Sequence, residues 1–270
     1  MSQHWYSEDG KPMHFVKKAK GEGTRPTTIR DARKLNLFPS VTTVLSTIAK
    51  PGLESWKIRT ALGDAFENRP FANEDVRTYT GRIMDKATKR GEAIMDFGTN
   101  IHNAIELALK GGGWEGSVMH PEGYEYDLAE FVNPVAELFA DNGWKPVGLE
   151  TVLVGDGYAG TADCIYIAEN EYGIIDFKTT GDATKPENNL VRPEYPAQIA
   201  MYHVAEHGGI DDKAAGYNIF ISRDQNIGSV KVVRYDAERL RKEFEFGMRC
   251  VHNWQHLNNY APKRKNNASI

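Results

Sequence analysis

Cysteine is scarce in this chain: among 270 residues only Cys164 and Cys250 occur, far apart in sequence. Two distant cysteines exclude a disulfide framework, a zinc knuckle and a four-cysteine iron–sulfur cluster, and they suit a reducing compartment. Long apolar runs are also lacking, since no stretch approaches the roughly 18 residues of a membrane helix. The amino terminus has no apolar core of a signal peptide. We therefore expect a soluble, cytoplasmic protein without a membrane partner.

An excess of basic residues is lacking as well. The net charge is −4, because 33 Lys and Arg stand against 37 Asp and Glu. This balance excludes a basic protein that coats nucleic acid, but a nucleic-acid enzyme needs only a local basic surface. The length, with 40% hydrophobic residues, suffices for one large domain or a domain with an appendage.

Helical patterns dominate the first half of the chain. Residues 1–38 are interpreted as peripheral, with one short helix that Thr28 can cap. A helix capped by Ser40 or Thr42 ends at Lys50-Pro51-Gly52. Further helices are predicted from residue 53 onwards and over residues 74–95, 97–110 and 124–142.

Strand patterns dominate the second half. Strands are predicted over residues 147–154, 158–168, 172–179, 216–222 and 229–235, with a helix over 196–207 and a closing helix from 236. This order indicates an α/β fold, with a mixed central sheet flanked by helices. We expect an N-terminal extension and helical region packed on the core (1–95), the core itself (96–260) and a basic, disordered tail (261–270).

The pattern Asp-x-Lys occurs three times, at Asp9–Lys11, Asp176–Lys178 and Asp211–Lys213. Only the second lies on an apolar strand. Side chains alternate along a strand, so its carboxylate and ammonium face the same side. Charges among apolar neighbours are costly unless they are paired or bind a metal. A buried ion pair or a solvated strand face is the alternative interpretation.

Hairpin geometry predicts which carboxylates face each other. A two-residue turn at Asp156-Gly157 places Glu150 opposite Asp163. A second turn centred on Glu169-Asn170 places Asp163 opposite Asp176. Three carboxylates about 5 Å apart would repel one another, and a hard divalent cation with oxygen ligands resolves this. A slip of one residue in the second hairpin would turn the last aspartate to the other face.

Two helices carry further candidates. His102 and Glu106 lie one turn apart on one face of a helix, which favours a ligand or a supporting role over an ordinary core histidine. Gln198 and Tyr202 share a face of the helix after the sheet. They carry groups that can bind a phosphate or order the lysine, although an amphipathic helix that packs a tyrosine explains the same pattern.

Taken in order, these segments resemble the motifs of RecB-like nucleases in the PD-(D/E)XK superfamily. The motifs span roughly residues 96–205 and are Gly98–His102, Glu150, Gly160-Thr161-Ala162-Asp163, Asp176-Phe177-Lys178-Thr179 and Gln198-x-x-x-Tyr202. The segment 39–45, with Trp56 downstream, is similar to the region before the core in phage exonucleases and in mitochondrial genome maintenance exonucleases.

The resemblance implies a role for each matched residue. Lys178 would place the attacking water, and Glu150 would be a further carboxylate of the catalytic set with the two aspartates. Mg²⁺, for which Mn²⁺ substitutes, would be the cofactor, without an iron–sulfur cluster. The implied metal ligands are His102, Asp163, Asp176 and the carbonyl of Phe177, and the implied substrate-binding residues are Gln198, Tyr202, Thr179 and Glu106.

The activity implied is that of a Mg²⁺-dependent DNA exonuclease that prefers single-stranded ends. A role in phage or bacterial DNA recombination, repair or turnover follows by analogy, in the host cytoplasm if a phage encodes the protein. Two alternatives keep the same core: a structure- or site-specific endonuclease and a catalytically silent DNA-binding homologue. A metallopeptidase is disfavoured because His-Glu-x-x-His is absent from the sequence.

Overall fold

The computed structural model describes residues 4–264. Its first elements are β1 (Trp5–Tyr6), β2 (Phe15–Lys17), β3 (Thr24–Pro26), α1 (Ile29–Leu35), β4 (Phe38–Pro39), α2 (Val41–Leu45), α3 (Pro51–Glu67), α4 (Val76–Leu109), β5 (Ser117–Met119) and β6 (Glu125–Asp127). Then follow α5 (Ala129–Asp141), β7 (Lys145–Val154), β8 (Ala159–Ile167), β9 (Tyr172–Thr180), α6 (Glu187–Leu190), α7 (Glu194–His207), β10 (Ala214–Ser222), β11 (Val230–Tyr235) and α8 (Ala237–Asn258).

A mixed five-stranded sheet is the centre of the fold. Its strand order is β11-β10-β9-β8-β7. Two hairpins make β7, β8 and β9 antiparallel, α7 connects β9 to a parallel β10, and β11 returns antiparallel. A parallel neighbour requires a crossover, and the helix between the two strands provides it. The predicted α/β class with a mixed sheet is confirmed.

The hairpin register agrees with the sequence prediction. Leu149 pairs with Cys164 and Thr151 with Ala162, so Glu150 is bracketed opposite Asp163. Cys164 also pairs with Ile175 on β9. One residue earlier on β8 and one later on β9, the same register places Asp163 opposite Asp176. The turns are where the pattern predicts them: the amide of Gly155 donates to the carbonyl of Tyr158, and that of Ala168 donates to Glu171.

Polar side chains fix where three helices begin. Thr28 caps α1 in a capping box, Ser40 caps α2, and Asp236 caps α8. Each side-chain oxygen accepts a hydrogen bond from a main-chain amide in the first turn, where the helix itself provides no acceptor. The helix starts predicted at these residues are confirmed, but α2 ends at Leu45, well before Lys50.

The prediction that residues 1–38 are peripheral is wrong at Trp5, although most side chains of residues 15–26 are exposed. Trp5 is 0% exposed, and its ring centroid lies 5.8 Å from that of Trp254 and 6.5 Å from that of Tyr260. The strand that carries it, β1, pairs with β4. Burial of a large indole outweighs the polar composition of the surrounding segment.

Three predicted boundaries also need correction. The predicted helices 74–95 and 97–110 are one helix, α4, because Gly98 is buried within it and does not interrupt it. The predicted boundary between residues 95 and 96 therefore falls inside that helix. The helix predicted from residue 124 begins at Ala129, because residues 125–127 pair with 117–119 as a small hairpin.

The predicted tail is described only in part. Asn36 donates a hydrogen bond to the carbonyl oxygen of Lys263 at 2.7 Å and accepts one from its main-chain amide at 3.0 Å, so this part of the predicted tail contacts the residue that ends α1. Residues 265–270 lie outside the described residues.

The chain forms two compact units, which divide before Ala49 and after Asn133, inside α5. The sheet unit contains β1 to α2, the rest of α5 and everything that follows. α7 and α8 pack on one face of its sheet. The other face carries an aromatic layer, in which the ring centroids of Trp144 and Tyr217 lie 4.6 Å apart.

The helical unit spans Ala49–Asn133 and is built on α3 and α4. Arg90 of α4 lies 3.1 Å from the carboxylate of Asp64 on α3, which is almost completely buried. Arg82 forms an ion pair with Glu74 at 2.7 Å. Among the described residues, no helix combines the length and apolar character needed to cross a membrane.

Candidate active site

Asp176 and Lys178 form the centre of the candidate site on β9. Lys178 Nζ lies 2.8 Å from Oδ1 and 2.7 Å from Oδ2 of Asp176, whose residue is 1% exposed. The two residues share a strand face because side chains alternate. Asn218 of β10, paired with Asp176 in parallel register, donates to Oδ2 at 2.7 Å. The aspartate is thus held between a cation and a neutral amide.

Asp163 faces this pair from β8, where β8 and β9 separate. The pairing between these strands ends at Cys164 and Ile175. One position further, Oδ2 of Asp163 accepts the main-chain amide of Phe177 at 2.8 Å. A carboxylate therefore takes the place of a strand carbonyl and lies in the fork between the strands. Asp163 is partly exposed, so the fork is accessible to solvent.

The charges in the fork affect one another. Burial raises the pKa of Asp163, and the positive charge of Lys178 and the Phe177 amide only partly oppose this. Burial lowers the pKa of Lys178, but attraction to Asp176 and to Asp163 outweighs it, so the pKa is raised overall. Two facing carboxylates and one ammonium leave an excess negative charge when all are ionised. A cation beside Asp163 would relieve the cost of its ionisation.

The oxygen donors in the fork fit a hard divalent cation. Asp163 and Asp176 supply carboxylates, and the Phe177 carbonyl is a further oxygen donor on β9. Within residues 4–264, no three His, Cys, Asp or Glu side chains form a group that could hold a metal ion. Mg²⁺ is commonly bound by one or two carboxylates, with water and substrate phosphate as the remaining ligands. The pair fits this mode of binding.

Gln198 and Tyr202 of α7 extend the site, as the sequence predicts. Lys178 Nζ donates to Gln198 Oε1 at 3.4 Å, and Gln198 also hydrogen-bonds Tyr202. Burial raises the pKa of Tyr202, and the nearby charges of the two aspartates add to this, so its hydroxyl stays protonated. A Cβ on Gly160 would lie 2.6 Å from this hydroxyl, which explains a glycine here.

Glu150 lies at an irregular position of β7. Its φ is +46°, and the pairs on either side of it place it opposite Asp163. The residue is exposed to solvent. Its charge is close enough to Tyr6 to raise the pKa of that hydroxyl, together with the larger effect of burial.

Three further predicted residues lie outside the strand face that carries Asp163, Asp176 and Lys178: two are on α4 and one is on the opposite face of β9. His102 and Glu106 lie one turn apart on α4, in the helical unit, and Glu106 forms an ion pair with Lys110. Their roles as metal ligand and substrate contact stay predictions. Thr179 follows Lys178 on β9, so alternation turns its side chain to the opposite face of the sheet.

Four residues of the site were not predicted from the sequence. Tyr6 of β1 lies 3.2 Å from Thr161 through its hydroxyl, and the ring centroid of Tyr195 lies 5.2 Å from Lys178 Nζ. Asn218 contacts Asp176, and the Tyr235 hydroxyl in turn donates to Asn218 at 2.8 Å. Only Asn218 had a sequence signal, as a single amide in the apolar strand β10.

Comparisons with known proteins leave the geometry as the main guide to function. No protein-family model matches the chain, and no curated protein is significantly similar to it.

Proposed function

We propose that this protein is a Mg²⁺-dependent DNA nuclease with a PD-(D/E)XK core. The observation that carries the proposal is the grouping of Asp163, Asp176 and Lys178 in the fork between β8 and β9. A structural ion pair needs one carboxylate for one ammonium, whereas here a second carboxylate with a burial-raised pKa faces the pair. Such a costly arrangement is expected where charge must be held for chemistry.

Lys178 is the residue suited to act on the reacting groups. Its side chain is about one-fifth exposed, so the ammonium is placed to meet a water or a phosphate oxygen at the mouth of the fork. There it would orient the attacking water and stabilise negative charge that develops on the phosphate. Gln198 would limit the positions that the Lys178 ammonium can take. The protonated hydroxyl of Tyr202 would donate a hydrogen bond to a phosphate oxygen. When bound, Mg²⁺ supplies an acidified water and neutralises charge on the scissile phosphate.

The substrate is proposed to be DNA, degraded from single-stranded ends in phage or bacterial recombination, repair or turnover. This part rests on the resemblance of the motif series to RecB-like exonucleases. With only two cysteines, both buried and free, the chain fits the branch without an iron–sulfur cluster.

The test is cleavage of four DNA forms in Mg²⁺: linear and circular single strands, and linear and closed circular duplexes. We expect degradation of the linear single strand, little cleavage of either circle, loss of activity in EDTA and recovery in Mn²⁺. Rapid cutting of single-stranded circles would replace the exonuclease by the endonuclease. Binding of DNA without cleavage in either metal would favour the silent homologue.

A further inference from the structure

A chain of buried polar groups runs behind the catalytic aspartate. Tyr235 Oη of β11 donates to Asn218 Oδ1 of β10 at 2.8 Å, and Asn218 Nδ2 donates to Asp176 Oδ2 of β9 at 2.7 Å. The side chains thus connect three adjacent strands on one face. Tyr235 is 5% exposed and Asn218 is 0% exposed, so water does not replace these bonds.

The direction of each hydrogen bond follows from the chemistry of the groups. An ionised carboxylate can only accept, so the NH₂ group of Asn218 must face Asp176. The amide oxygen then faces Tyr235, whose hydroxyl must donate. Burial is the main reason why the pKa of Tyr235 is raised, and the charges of Asp176 and Glu187 add to it, so the donor keeps its proton. The chain therefore has a single arrangement.

Burying the side-chain amide of Asn218 in β10 costs desolvation free energy. Such a residue is expected only where its hydrogen bonds have a role that an apolar side chain cannot fill. β10 is buried over its whole length, and most of its side chains are apolar. Asn218 also donates to the main-chain oxygen of Asp176 at 3.4 Å, so every polar atom of its side chain is used. A leucine has the same branched skeleton and would avoid the desolvation of a polar group.

We propose that Asn218 and Tyr235 are positioning residues that hold the Asp176 carboxylate in the orientation needed to bind the metal. This inference rests on the proposed function. Lys178 contacts both oxygens of Asp176, but a lysine that turns toward a water or phosphate leaves the carboxylate. The neutral amide remains on Oδ2 and keeps the other oxygen directed into the fork. Groups that orient a ligating carboxylate in this way typically change metal affinity about 10- to 100-fold when removed.

The test measures Mn²⁺ binding in the absence of DNA. The electron paramagnetic resonance signal of free Mn²⁺ reports how much of the metal is unbound. The variants are Asn218→Leu and Tyr235→Phe. The matched control is Tyr217→Phe, which removes a buried hydroxyl that donates to the Glu171 carboxylate, next to Asn218 but on the opposite face of β10. Circular dichroism and thermal unfolding identify the variants that fold, and Tyr235→Phe, which removes one oxygen atom, serves if Asn218→Leu does not fold.

We expect Mn²⁺ to bind about 10- to 100-fold more weakly to Asn218→Leu, less weakly to Tyr235→Phe, and normally to Tyr217→Phe. Unchanged Mn²⁺ affinity in folded Asn218→Leu would overturn the inference and leave the proposed function intact. If Asn218→Leu does not fold, unchanged affinity in Tyr235→Phe has the same meaning. An equal loss in Tyr217→Phe would overturn it too, because the effect would be a general one on the sheet. If the wild type binds no Mn²⁺, both the inference and the proposed metal site fail.

Discussion

The ammonium of Lys178 contacts both carboxylate oxygens of Asp176, at 2.8 and 2.7 Å. We predict that Lys178→Ala lowers DNA cleavage by orders of magnitude, since it removes the group that places the water. Asp163→Asn and Asp176→Asn should do the same. Asp163→Asn should leave the free energy of unfolding unchanged or higher, because it removes a charge that burial disfavours.

The matched control for Lys178→Ala is Lys213→Ala, which alters another Asp-x-Lys pair on an exposed turn. Turnover in Mg²⁺ and urea unfolding curves give the two measurements. Normal cleavage by folded Lys178→Ala would eliminate the proposed mechanism.

Gly160 and Tyr202 should be coupled, because a Cβ at residue 160 would lie 2.6 Å from the tyrosine hydroxyl. We predict that Gly160→Ala reduces cleavage by displacing that hydroxyl and its Gln198 contact. Tyr202→Phe removes the clashing atom, so the double variant should lose less activity than the two single losses multiplied together. Rates of all four proteins form the cycle, and simple multiplication of the losses would show that the two sites act separately.

The register of the two hairpins could be predicted from the sequence because each turn has two central residues. With turn length fixed, strand register follows, and the positions of Glu150, Asp163 and Asp176 follow from it. The missed residues have no such local rule. Tyr6 reaches Thr161 from more than 150 positions away, and Tyr235 enters the site only through Asn218. Contacts of this kind depend on tertiary packing, which periodicity does not encode.

The division of α4 into two predicted helices has a similar cause. The predicted start at residue 97 lies next to Gly98, which is buried in the middle of one continuous helix. Glycine disfavours a helix interior by only about 1 kcal/mol relative to alanine. The neighbouring Phe97 and Ile101 are both almost fully buried. The free energy gained by burying these two side chains exceeds the cost of the glycine.

An open groove of about 680 Å³ on the helical unit is lined by the exposed cations Arg77, Lys86 and Lys89. The guanidinium of Arg82 lies 4.3 Å from the ring centroid of Phe71, which is 67% exposed. Cations beside an exposed ring suit a single strand. We predict that replacing the three groove cations by alanine weakens binding of a dT oligonucleotide in EDTA.

The salt dependence of this binding gives the decisive number. Three lost phosphate contacts should reduce the slope of log K against log salt by about 2 for a single strand. Alanine at the exposed Lys17, Lys18 and Lys20 makes the same change in net charge and is the control. Equal slopes in the two triple variants would show that the groove does not bind phosphates. Fluorescence anisotropy measures both.

His203 of α7 should make the stability of the protein depend on pH. It is 0% exposed, neither ring nitrogen has a hydrogen-bond partner among residues 4–264, and the ring packs 5.5 Å from that of Tyr172. Burial, together with the nearby His207, lowers the pKa of His203 to about 4, although Asp211 opposes this shift. The native state therefore excludes a proton that the unfolded chain binds below its ordinary pKa near 6.5.

The sign of the effect follows from this difference in proton binding. Between about pH 6.5 and pH 4 the unfolded state binds more protons, so the free energy of unfolding falls as the pH falls. From pH 7 to pH 5 the loss due to His203 should be about 2 kcal/mol. Urea unfolding at both pH values measures it. His203→Phe should abolish this part of the loss, whereas His252→Gln, at an exposed position of α8, should retain it. An unchanged loss in His203→Phe would assign the pH dependence to other groups.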